Sequence, residues 1–116
     1  MSAHRLGWCL IAVAGLLGTA HVALTPLAYA HWAIDALWFL GSGLAIVGAA
    51  VANVVGMAQS TARSLWAMLA INLMMAGFFA AAWSVLPGPQ VIVGGAVFLG
   101  LAACTLTRRT QRVPAG

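Results

Sequence analysis

Four long apolar runs separated by short breaks decide what this chain can become. They cover residues 6–25, 32–55, 65–86 and 91–106, the last being the shortest and open to extension by a residue or two at each end. A helix needs about 20 mostly apolar residues to cross the hydrocarbon layer of a bilayer. There the backbone must satisfy its own polar groups, which only helices and closed barrels achieve. Barrel strands alternate polar and apolar side chains over about ten positions, whereas residues 11–17 and 91–101 do not alternate. The expectation is an all-α membrane protein: one domain over residues 1–116, folded as four transmembrane helices in a compact antiparallel bundle. The breaks fit. Thr25-Pro26 should end the first run, because proline disfavours helical geometry in the residue before it. Residues 59–64 form a polar connection, and Pro87-Gly88-Pro89-Gln90 reads as a tight turn.

Charge sharpens this reading. Only 5% of the residues are charged, as five Arg and one Asp, against about a quarter in a soluble domain. So few charges cannot cover a water-facing surface, which excludes a soluble globular domain, a disordered tail and an ordinary nucleic-acid binder. The arginines are not scattered. Arg5 precedes the first run, Arg63 lies between the second and third, and Arg108, Arg109 and Arg112 follow the fourth. The other two connections contain none. Cytoplasmic loops are enriched in basic residues, so both termini are expected inside. The sequence pI near 10.7 then needs no nucleic acid, only anionic lipid headgroups, worth on the order of 1 kcal/mol per cation. Trp8 and Trp66 would mark the inner interface, Tyr29, Trp32 and Trp83 the outer one, with Trp38 deeper. A competing reading is a secretory signal cleaved after Ala28-Tyr29-Ala30, but the run before it exceeds the usual signal core of roughly 7–15 residues.

In lipid, helices associate through close packing of small residues and interhelical hydrogen bonds. The second run carries Gly41, Ala45 and Ala49, and Gly48, Ala52 and Gly56, at four-residue spacing; the first carries Ala14 and Gly18, and the fourth Ala96, Gly100 and Cys104. Bulky residues on other faces, such as Phe39, Ile46 and Phe98, are expected to meet lipid or a partner. Met68, Met74 and Met75 read as flexible packing, and Cys9 and Cys104 as small packing residues kept reduced near the cytoplasmic side.

Chemistry has few places to reside. Asp35 is the sole acid, a few residues into the second run, about 4–5 Å along a helix. It is expected either to cap that helix or to act as a functional acid. His31 lies four residues before it, on the same helical face, and His21 lies near the outer end of the first run. A tight connection would gather His21, His31 and Asp35 at the outer face as a site for a ligand, a proton or a divalent metal. Their spacing matches no metal motif, and bis-His haem ligation would need two facing imidazoles; no cofactor is expected. Ser42, Asn53 and Asn72 add a polar stripe for the bundle interior, read as interhelical hydrogen bonding or as a polar path from Asp35.

In length and span count alone the chain resembles the small multidrug resistance transporters. Those rely on a membrane-embedded Glu in the first span; this chain has no Glu, so no site residue carries over. The Ala-, Gly- and Arg-rich, Lys-free composition points to a GC-rich bacterial genome, hence the bacterial inner membrane. With no nucleophile–base pair or acidic dyad, the chain is not expected to be an enzyme. The leading expectation is an accessory or oligomerising subunit acting through lipid-embedded helix faces, as a homo-oligomer or in a larger membrane complex. The alternatives are a homodimeric proton-coupled transporter using Asp35 and His21, and an outer-face metal or redox-cofactor site at His21, His31 and Asp35.

Overall fold

The computed structural model describes residues 1–110; Arg112 lies outside the described residues. Four helices follow one another: α1 (Ala3–Ala28), α2 (Ile34–Gln59), α3 (Ala62–Trp83) and α4 (Pro89–Thr110). Each is long and apolar enough to cross a membrane. At 26 residues, α1 and α2 extend about 39 Å, and α3 and α4, at 22, about 33 Å. Every helix therefore exceeds the hydrocarbon thickness of about 30 Å.

The helix ends follow local chemistry. Ser2 caps α1, its Oγ accepting from Arg5 N at 3.4 Å, and Thr61 caps α3, its Oγ1 accepting from Ser64 N at 3.1 Å. Pro89 opens α4, where a missing N–H costs nothing. Between α2 and α3 the chain reverses in two residues, with Ser60 left-handed at φ 49° and its N–H bonded to Gly56 O at 2.9 Å. The expected stop at Thr25-Pro26 is overturned: α1 runs on to Ala28 with Pro26 inside it. Pro26 falls in the last turn, where it forfeits a single hydrogen bond. The turn still closes through Tyr29 N to Thr25 O, at 3.1 Å.

The four helices touch as a ring in which α1 meets α2 and α4, and α3 meets α4 and α2; the α2–α3 contact is the sparsest. The α1–α2 contact brings backbone against backbone. A Cβ at Gly18 would sit 2.8 Å from Val47 N and 2.9 Å from Gly43 O, and one at Gly43 would sit 2.8 Å from His21 Cβ. Ala36 and Ala50, seven residues to either side of Gly43, are buried on the same face. Two bulky residues expected to face outward are in the core instead: Ile46 and Phe98 are both 0% exposed. Ile46 lies one turn from Gly43 and is drawn in by that approach. Phe98 stacks on Phe79, with ring centroids 5.9 Å apart, and the Phe79 ring fills the space that the missing side chain of Gly94 leaves. Large apolar side chains on the outside, such as Leu16, Trp38 and Met74, each more than 70% exposed, form the kind of surface that water penalises and lipid accepts.

Candidate functional site

The C-terminal end of α1 and the N-terminal end of α2 hold the titratable residues singled out from the sequence, and the structure keeps them apart. His21 is half-buried on α1. Its Nδ1–H donates to Leu17 O at 2.9 Å, since a carbonyl can only accept, and its ring stacks on Phe39 with centroids 4.6 Å apart. Tyr29 leans on the other part of Phe39, at 5.6 Å. Thr25 Oγ1 donates to His21 O at 2.7 Å. The imidazole is thus one layer of a packed aromatic step between α1 and α2. Asp35 is exposed in the first turn of α2. It is not the N-cap, a place held by Ala33 without a side-chain bond. Its Oδ1 accepts from Ala36 N at 2.9 Å, so it takes up one free N–H and complements the positive helix end from within the first turn. His31 is exposed and lines a hollow of about 220 Å³ with Thr25, Tyr29 and Trp32. No hydrogen bond or ion pair joins His21, His31 and Asp35. Among the described residues no group of three potential ligands is gathered to hold a metal ion.

The interior polar residues behave differently. Asn53 of α2 and Asn72 of α3 are both 0% exposed and face each other. Asn53 Nδ2 donates to Asn72 Oδ1 at 2.8 Å, Asn72 Nδ2 returns a bond to Asn53 Oδ1 at 2.9 Å, and Asn53 also reaches Ala49 O at 2.8 Å. This pair ties the sparsest of the four helix contacts. Ser42 does not join it; its Oγ donates within its own helix to Phe39 O at 2.8 Å.

Around that tie, α2 and α3 separate into an outward-facing apolar groove. Three hollows of about 340, 200 and 280 Å³ succeed one another along it and share wall residues: Ala45, Met74 and Met75 between the first two, Ala52 and Ile71 between the last two. The α2 wall is built of Gly41, Ala45, Gly48 and Ala52, and the α3 wall of Ile71, Met74, Met75 and Phe78. A Cβ at Gly41 or Gly48 would meet nothing within 4 Å. The two small-residue rows read from the sequence are therefore divided: Ala49 and Gly56 turn inward, while Gly41, Ala45 and Gly48 stay exposed. The close crossing at Gly43 escaped sequence reasoning, although the Ala36, Gly43, Ala50 heptad was its available signal.

The opposite end of the bundle gathers the cations. Arg108 Nη2 donates to Ser60 Oγ at 2.7 Å, and its Nη1 points at the sulfur of Met57, so the end of α4 is pinned to the α2–α3 turn. Next to it the Arg109 guanidinium lies over the Trp66 ring, 3.7 Å from the centroid. Trp8 Nε1 donates to His4 Nε2 at 3.2 Å. No protein-family model, curated protein or solved structure matches the chain. Its functional reading therefore stands on these residues.

Proposed function

We propose that the chain is a small integral protein of a bacterial inner membrane, an antiparallel bundle with both termini cytoplasmic, that serves as a non-enzymatic, self-associating subunit. Its working surface is the groove between α2 and α3. The observation that carries this reading is the exposed row of Gly41, Ala45 and Gly48, beside which an added Cβ would meet open space. Within the chain, α2 already uses a glycine, Gly43, to bring a second helix to backbone contact. The Gly41–Gly48 row offers the same chemistry on a neighbouring face with no helix against it. In lipid such rows supply the packing that drives helix association, and a twofold pairing would set the row of one copy against that of the next. Met74 and Met75 on the facing wall supply side chains that repack around an incoming helix at low cost.

Crosslinking tests this. In a Cys9→Ser/Cys104→Ala background, Gly48→Cys should form disulfide-linked dimers on mild oxidation in native membranes. Leu16→Cys, equally exposed on α1, should not. A Gly48→Cys protein that stays uncrosslinked, together with a monomeric mass after detergent correction, would overturn the reading.

A further inference from the structure

We propose a binding site for the phosphate headgroup of an anionic phospholipid on Arg63, Trp66 and Arg109, at the arginine-bearing end of the bundle. It rests on the membrane reading and is independent of self-association. Three observations converge. First, the Arg109 guanidinium is held over the Trp66 ring, its Cζ 3.7 Å from the centroid. Stacking occupies the face of a guanidinium and leaves its in-plane N–H donors available; among the described residues no acceptor is bonded to them. Second, Arg63 is exposed one turn before Trp66 on the same face of α3, and among the described residues its side chain has no partner either. Helical side chains lean towards the N-terminus of their helix, so the indole, and the guanidinium stacked on it, lie over the turn that carries Arg63. Third, the single acid of the chain, Asp35, opens α2, while the end of α2 carries the turn that Arg108 holds. The two guanidiniums thus have no acidic side chain at their own end.

Arg108 illustrates the contrast: it donates to Ser60 and Met57, whereas Arg63 and Arg109 donate side-chain hydrogen bonds to none of the described residues. Two planar donor groups beside an interfacial indole match a phosphodiester, which offers paired oxygens to forked donors. The indole places the pair at the depth where headgroups lie.

The test uses the purified full-length chain in neutral detergent, titrated with dioleoylphosphatidylglycerol or dioleoylphosphatidylcholine, with bound lipid read by native mass spectrometry. Phosphatidylglycerol should be retained in preference. Each of Arg63→Gln and Arg109→Gln should weaken its retention by roughly fivefold, and the double variant by roughly thirtyfold. Arg5→Gln should leave it unchanged. Trp66→Leu should weaken it without altering charge, and Trp66→Phe should restore it. Equal retention of the two lipids, or an Arg5→Gln loss matching that of Arg63→Gln, would reduce the site to diffuse charge and overturn the proposal. Displacement of the lipid by millimolar inorganic phosphate would also overturn it, in favour of a free-phosphate site.

Discussion

Asn53 and Asn72 hold α2 against α3 through a closed pair of amide hydrogen bonds, 2.8 and 2.9 Å long, with both residues fully buried. The pair is reciprocal: each amide gives one N–H and takes one. Removing a single partner therefore strands a donor and an acceptor, which costs more than the pair itself contributes. Asn72→Leu should destabilise the purified protein by about 1–3 kcal/mol in SDS-induced unfolding. Asn53→Leu/Asn72→Leu should fall well short of the summed single losses, with a coupling of about 0.5–2 kcal/mol. Additive losses would mean that the two amides act separately.

The glycines divide into two classes that substitution should separate. At Gly18 and Gly43 a Cβ runs into the backbone of the facing helix. Gly43→Val should force α1 and α2 apart at a cost of about 1–3 kcal/mol or more. At Gly77 a Cβ meets nothing within 4 Å, and alanine should recover the helical propensity that glycine gives up, about 0.5–1 kcal/mol. Unfolding midpoints in the same SDS titration would show opposite signs for the two variants.

Ser60 occupies a left-handed conformation, φ 49°, that costs a residue with a Cβ about 1–2 kcal/mol. Its hydroxyl donates to Met57 O at 2.8 Å and accepts from Arg108 at 2.7 Å. Arg108→Ala should remove the link between α4 and the turn and lower the unfolding midpoint. Ser60→Ala in the otherwise unchanged chain should lower it as well, because the left-handed strain stays while the hydroxyl's bonds to Met57 and Arg108 go. A Ser60→Ala midpoint equal to that of the parent would show that the hydroxyl does not hold the turn.

The helices were legible in the sequence because lipid-length apolar runs leave the backbone few choices. Which face of each helix turns inward was far less so. In a soluble protein hydrophobicity separates core from surface, but in a lipid-embedded bundle both environments are apolar. Ile46 and Phe98 therefore looked as suited to lipid as to the core in which they lie. Residue size is the better guide, since close approach needs glycine. Yet α2 carries small residues on several faces, and only the register with α1 selects Gly43. The same holds for the polar residues. Asn53 and Asn72 were each placed within a span, but their meeting depends on how α2 and α3 align. His21 was visible as a titratable group, whereas its place in a stack with Phe39 and Tyr29 depends on helix packing. Arg109 stood out only as part of a basic tail, and its seat on Trp66 joins residues 43 positions apart in the chain.

The proposed orientation can be tested at the two short connections. Arg63 and the arginines closing α4 lie at one end of the bundle, joined through the contacts of Arg108 with the α2–α3 turn and of Arg109 with Trp66. Gln90 lies in the first turn of α4, about a helix length away. If the basic residues fix the insertion, the Gln90 end faces outward and the Arg63 end faces the cytoplasm. In the Cys9→Ser/Cys104→Ala background, Gln90→Cys should react with a membrane-impermeant maleimide on spheroplasts. Ala62→Cys, beside Arg63, should react only after the membrane is opened. Ala62 is the better probe because replacing Arg63 would delete the charge on which the argument depends. Replacing Arg5, Arg63, Arg108, Arg109 and Arg112 together with Gln should then remove the bias, giving partial labelling of both positions in unopened spheroplasts. A single, unchanged orientation in that protein would show that helix packing or the aromatic residues, and not the arginines, set which way the bundle faces.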